Sequence, residues 1–358
     1  MRSILVAGLV ALLVSMLFTP SVIRASARRG FGQEIREEMR NSQHAKRGTP
    51  TMGGVAILVS LWIGYLLAHL LATGDGPSAS GLLVLGLTSV LGFLGFLDDF
   101  IRIRKRRNLG LGRAAKIIGQ FLVVLLFAVL ATRFPNRARL TPVSEHLSFI
   151  RDLTAVSFGA IGFVILAYVV IGCWSTAVKV TDGMDGLAAG TTALVLASYV
   201  LISFWQFRSS CPAAGRATPG CYVVRDPLDM AVVAAAAMGA CLGFLWWNAA
   251  PARIFMGHTG SWSLGGLLAG LAMTTRTELL MIVVGGVFVT EALSVVLQVV
   301  VFRGTGRRLF RMAPFHHHFE LAGWAETTVI IRFWILAAIS CLFGLGLFYS
   351  DWLVLSGA

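Results

Sequence analysis

The run FGAIGFVILAYVVIGCWSTAV, Phe158 to Val178, carries no charged residue. At about 20 residues it can cross the hydrocarbon core of a bilayer as one helix with every backbone group bonded internally. It ends at Lys179 and runs into the acidic, glycine-rich Thr181-Asp182-Gly183-Met184-Asp185-Gly186. Outward from it, nine more apolar segments qualify: Ile4 to Ile23, Val55 to Leu71, Leu82 to Leu97, Ile117 to Ala131, Leu187 to Phe207, Leu228 to Trp247, Ser261 to Met273, Leu279 to Phe302 and Ile330 to Phe348. The fourth and eighth spans along the chain, Ile117 to Ala131 and Ser261 to Met273, are short. Of 358 residues, 56% are hydrophobic and 13% charged, with a mean hydropathy of +0.78, so the chain has too little polar surface to cover itself in water. The expected fold is all-α, a polytopic membrane protein of about ten transmembrane helices, forming one domain over residues 1–358. Arg2 and the Ala25-Ser26-Ala27 triplet also admit a signal-peptide reading of the first run. Its length and the basic stretch after it favour a membrane span.

Loops alternate in basic content. One set, from Arg24 to Arg47, Arg102 to Lys116, Lys179, Arg253 and Arg303 to Arg311, holds twenty of the 30 Lys and Arg residues. Cytoplasmic loops carry such an excess, which places this set inside and both termini outside. The net charge of +13 is then a topology signal with affinity for anionic membrane lipids, and it gives no support to nucleic acid binding. Cys173, Cys241 and Cys341 fall in apolar spans and read as small buried hydrophobes. Cys211 and Cys221 flank an external Pro/Gly-rich loop, where a structural disulfide is one of two open readings. No strand-like alternation of useful length and no internal repeat stands out.

Nearly every unusual polar cluster lies on the inward set of loops. Asp98-Asp99 ends the third span, where adjacent carboxylates repel and need a cation; such a pair can hold Mg²⁺ or divide into base and ionised partner. A solvated helix end neutralised by Arg102 and Arg104 is the plainer reading. Asp182 and Asp185 are each followed by glycine, which lets backbone turn sharply and approach a ligand, although single Asp-Gly turns are common. Phe255-Met256-Gly257-His258-Thr259-Gly260-Ser261 suits the cradling of phosphate at a helix start, or is merely a helix capped by Ser261. Three consecutive imidazoles, His316-His317-His318, point in different directions, so at most two can share a centre. Thr49-Pro50-Thr51-Met52-Gly53-Gly54 permits close packing beside Lys46 and Arg47, which offer phosphate contacts. The clustering at one face, away from mid-membrane, argues against a transporter.

In this order, Thr49 to Gly54, Asp98-Asp99, Thr181 to Gly186, Phe255 to Ser261 and Pro314 to Glu320 resemble the phospho-N-acetylmuramoyl-pentapeptide-transferase family, within the polyprenyl-phosphate N-acetylhexosamine-1-phosphate transferases. The resemblance runs from about Lys46 to the last span. It implies a ten-helix enzyme of the bacterial plasma membrane that transfers phospho-MurNAc-pentapeptide from UDP to undecaprenyl phosphate at the cytoplasmic face, giving lipid I and UMP with Mg²⁺. By motif match, Asp98, Asp99, Asp182 and His317 would be catalytic, and Asp99, Asp182 and His258 would sit at the metal. Lys46, Thr51, Lys179, Asp185, Phe255, His316 and His318 would bind substrate. A homodimer is implied by the resemblance only.

Three positions depart from the family pattern. Thr176 and Lys179 stand where Asn is usual, and His258 stands where an Asp ligates Mg²⁺. Imidazole is a poor substitute for oxygen at a hard ion, so either Lys179 supplies part of the missing metal charge or the site prefers a softer ion such as Mn²⁺. The alternative readings are an impaired paralogue that binds substrate or a nucleoside inhibitor, and a transferase for another UDP-amino sugar.

Overall fold

A computed structural model of the chain describes residues 1–28, 48–73, 76–105, 110–136, 139–211 and 219–357. Among them are twelve α-helices and one short hairpin. Each expected span lies on a helix: α1 (Arg2–Arg28), α2 (Gly54–Ala68, continued by a π turn His69–Thr73), α3 (Ala79–Arg104), α4 (Arg113–Ala131), α5 (Gly159–Thr181), α6 (Leu187–Arg208), α7 (Pro227–Asn248), α8 (Gly257–Thr274), α9 (Glu278–Val284) with α10 (Gly286–Thr305), and α12 (Glu326–Ser356). The short α11 (Phe315–Leu321) carries the three histidines.

Nine helices among the described residues are long and apolar enough to cross a membrane; α8 is not one of them. Every residue of α8 from Thr259 to Thr274 is buried. Its outer face meets protein where the other spans meet lipid, so glycine, serine and threonine are tolerated there and its hydropathy falls. The ninth expected span is not continuous. It breaks at Gly285, whose α-carbon lies so close to Trp174 that an added Cβ would stand 2.5 Å from the indole.

Small residues set the tightest contacts. An added Cβ on Gly239 of α7 would lie 2.0 Å from the Gly8 carbonyl oxygen of α1, and one on Gly64 of α2 would lie 2.7 Å from the Ala11 side chain. Backbones this close gain dispersion and exclude lipid, the usual basis of helix association in a bilayer. The first run is therefore a packed helix of the bundle. Asp229, inside an apolar run, is satisfied at the opposite end of the bundle from the motif-bearing loops: Tyr65 Oη donates to it at 2.8 Å, His69 Nε2 lies 2.7 Å away, and the Ser78 hydroxyl also donates.

Two expectations are corrected at this level. The loop before α5 contains an antiparallel hairpin, β1 (His146–Ser148) and β2 (Asp152–Ser157), tied down by Arg276 to Asp152 at 2.6 Å and Arg151 to Asp351 at 3.0 Å. Its strands are too short to show as alternation. Cys173 is exposed on α5 instead of buried, because it faces outward from the bundle, whereas Cys241 and Cys341 are buried. The Cys211–Cys221 disulfide is formed.

Candidate active site

The C-terminal turns of α3 and the N-terminus of α8 meet at Gly95, where an added Cβ would stand 2.3 Å from the His258 carbonyl oxygen. Only glycine admits that approach, and it sets the α8 start one turn from Asp98 and Asp99. Thr259, in the first turn of α8, donates its backbone N–H to Asp99 Oδ2 at 3.0 Å and its hydroxyl at 3.2 Å. A carboxylate from another helix thus serves an unpaired N–H of the first turn and the positive end of the dipole. Ser261, the cap in the alternative reading of this segment, lies inside the helix and donates back to the Gly257 carbonyl at 3.0 Å.

Asp98 is fully buried and heavily partnered. Lys116 Nζ lies 2.8 Å from Oδ1, and the Leu111 N–H donates to the same oxygen at 2.6 Å. Arg102 Nη2 lies 3.4 Å from Oδ2, where His258 Nδ1 is at 2.6 Å. The same Nδ1 is 3.3 Å from Asp99 Oδ1. One imidazole nitrogen therefore stands between two carboxylates, and one donor atom from each of Asp98, Asp99 and His258 falls within a 4.8 Å cluster able to hold a metal ion. Lys179 adds positive charge beside them, its Nζ 5.7 Å from the Trp262 ring centre, while the His258 ring stacks on Trp262 at 6.2 Å. Thr176 is exposed on α5.

Asp182 follows the end of α5, where burial pushes its carboxyl up to about 7; His258 opposes the shift, and Asp99 and Asp185 add to it. Those interactions put the Asp182 turn beside the Asp98–Asp99–His258 group. Asp185 Oδ2 accepts the Ala252 N–H at 2.9 Å, which ties this turn to the loop before α8. At Gly186 the backbone takes φ 75°, the left-handed region open to glycine, and α6 begins.

Two of the three histidines turn toward the Asp182 loop. His316 Nδ1 lies 3.0 Å from Glu291 Oε2 and His317 Nδ1 lies 3.0 Å from Glu320 Oε2. An added Cβ on Gly183 would meet His316 Nε2 at 2.4 Å and His317 Nε2 at 3.4 Å, so both outer nitrogens aim at this turn. The His316 Nε2 is buried without a hydrogen-bond partner, and burial lowers the basicity of the ring. His318 faces elsewhere: its Nδ1 accepts the Arg311 N–H at 3.1 Å and its ring stacks on Phe315 at 5.9 Å.

The glycine-rich segment before α2 lies along the loop before α8. Phe255 donates its N–H to the Pro50 carbonyl at 2.8 Å, and Gly53 and Gly54 donate to the Phe255 and Met256 carbonyls at 2.9 Å each. The Thr51 hydroxyl and Asp99 Oδ2 stand beside Gly257, and Phe255, two residues earlier, is half-buried. Lys46 lies outside the described residues.

Sequence reading missed Glu291, Glu320 and Lys116 as members of this site. Glu291 was open to detection as a lone acid inside an apolar run, a costly placement unless partnered. Lys116 reads in the sequence only as one of the basic residues that set topology.

Fold and site together define an integral membrane transferase of the glycosyl transferase family 4 class, whose family model matches residues 81–276. The phospho-N-acetylmuramoyl-pentapeptide-transferase signature 1 matches residues 46–58. The chain is similar to proteins of that name from Saccharopolyspora erythraea, at 70% identity over 99% of both chains, from Rhodococcus opacus, at 62% over 100% of both, and from Mycobacterium leprae, at 59% over 100% of both. The chain belongs to the phospho-N-acetylmuramoyl-pentapeptide-transferase family.

Proposed function

We propose that this protein transfers phospho-MurNAc-pentapeptide from its UDP carrier to undecaprenyl phosphate, releasing UMP and forming lipid I for peptidoglycan synthesis. The site faces the cytoplasm from a bacterial plasma membrane. The observation that carries the reading is the convergence of carboxylates, cations and two imidazoles from five separate loops on the Asp99–His258 and Gly183 region.

A phosphate oxygen of the lipid attacks the phosphorus that bears the sugar, the bond from that phosphorus to the oxygen bridging to uridine monophosphate breaks, and UMP leaves with that oxygen. Two anions must be brought together, so positive charge and positioning supply most of the rate. The donor set of two carboxylates and an imidazole fits a divalent ion, held by Asp98, Asp99 and His258 with Asp182 beside them. When bound, the ion screens the phosphates and polarises the bond to the leaving group. Lys116, Arg102 and Lys179 keep the cluster from being net negative before substrate arrives. His316 and His317, each fixed by a carboxylate at Nδ1, turn Nε2 toward the pyrophosphate and position it. Asp185, Thr51, Phe255 and Lys46 contact the nucleotide-linked substrate, and His318 supports α11.

Lipid I formation and UMP release in washed membranes, with Mg²⁺, Mn²⁺ or chelator, test the reading. Turnover that depends on divalent ion is expected; no turnover under any metal overturns it. Competition with other UDP-amino sugars identifies the donor.

A further inference from the structure

The oxygens of the acidic pair are unequally committed. Asp98 Oδ1 is held by Lys116 and the Leu111 N–H, and Asp99 Oδ2 by the Thr259 N–H and hydroxyl. Among the described residues, Asp98 Oδ2 and Asp99 Oδ1 face His258 Nδ1, at 2.6 and 3.3 Å, and Arg102 Nη2 stands 3.4 Å from both Asp98 Oδ2 and that nitrogen. One donor atom from each of Asp98, Asp99 and His258 lies within 4.8 Å of the other two, close enough for one ion to draw them together as neighbouring ligands. The imidazole is packed on one side, and its backbone is anchored. Its ring stacks on the buried Trp262 at 6.2 Å, and its own carbonyl is pressed against Gly95.

We propose that the ion at this site is bound through His258 Nδ1 and is a borderline divalent ion of the Mn²⁺ to Zn²⁺ series in preference to Mg²⁺. The inference rests on the transferase reading for its location and goes beyond it in naming the nitrogen ligand and the ion class. Mg²⁺ draws its affinity from anionic oxygen and retained water, and here each carboxylate offers one oxygen while Lys116 and Arg102 offset the charge. Ions of the transition series gain from an imidazole donor where Mg²⁺ does not. Nδ1 can bond the ion only through its lone pair, so the ion replaces the 2.6 Å contact of that nitrogen with Asp98.

The test uses the purified full chain in lipid nanodiscs with Mn²⁺ alone as probe. Binding is followed by electron paramagnetic resonance, and the ligand by nitrogen hyperfine modulation. Expected results are nitrogen coupling that changes with isotope-labelled histidine, and displacement of Mn²⁺ only by more than about a tenfold excess of Mg²⁺. In His258→Asp the coupling is lost and Mg²⁺ competes near parity. The labelled native protein keeps the test decisive if that variant does not fold. Bound Mn²⁺ without nitrogen coupling, parity with Mg²⁺ in the native protein, or no bound Mn²⁺ would overturn the proposal. UMP release is measured on the same samples. Nitrogen-coupled Mn²⁺ without UMP release sinks the transferase reading alone, whereas UMP release without coupling sinks the ligation alone.

Discussion

Asp182 is a carboxyl whose charge is governed by burial first and by its neighbours second. Its folded value of about 7 lies above the ordinary 3.8, so the folded chain holds this proton more tightly than the unfolded one. Its contribution to stability is therefore complete below 3.8 and is lost as pH rises through about 7. Thermal midpoints in detergent are expected to fall across that window more for the native protein than for Asp182→Asn. Glu291 acts one step removed, by holding His316 at 3.0 Å. Glu291→Gln keeps the volume but weakens that hold, and a loss in kcat on the order of a hundredfold is expected, with smaller change in KM. An unchanged kcat would remove Glu291 from the site.

At the scale of elements, the approach of α2 to α8 depends on Gly54, where a Cβ would stand 2.0 Å from the Gly260 nitrogen. Gly54→Ala is expected to cost about 1 to 3 kcal/mol through displacement of both helices, read as a lowered thermal midpoint. Gly86→Ala on α3 has open space around it and should be neutral or slightly stabilising. Sequence reading located every span because each apolar run is a local property of the chain. It misjudged the start of α8, because the capping carboxylate is Asp99, 160 positions earlier in the chain. No inspection of Gly257 to Ser261 alone reveals such a cap. The break at Gly285 had a visible signal in the Gly285-Gly286 pair, but its cause, the indole of Trp174, is a tertiary contact. In the candidate site, the motifs pointed to Asp98, Asp99, Asp182 and His258, which the fold brings together, whereas the separation of His316 and His317 from His318 depended on which carboxylates stood opposite them.

Across the whole molecule, the motif-bearing loops gather at one end of the bundle, while the disulfide and the hairpin lie at the other. In right-side-out membranes, an impermeant thiol reagent is expected to label Leu153→Cys on the hairpin and to spare Arg308→Cys before α11; the reverse pattern would invert the topology. Removing the disulfide with Cys211→Ser and Cys221→Ser should lower stability by about 2 to 3 kcal/mol, because its closed loop is short, and leave lipid I synthesis intact at moderate temperature. The burial of α8 on all sides has a consequence for biogenesis. A segment too polar to partition into lipid unaided cannot be released from the insertion machinery by itself, and it must be received there by α3 and α5, which are made before it. Truncation after α8 should therefore yield a fully inserted segment only when those earlier helices are intact, so the chain's order of synthesis helps to build its own catalytic centre.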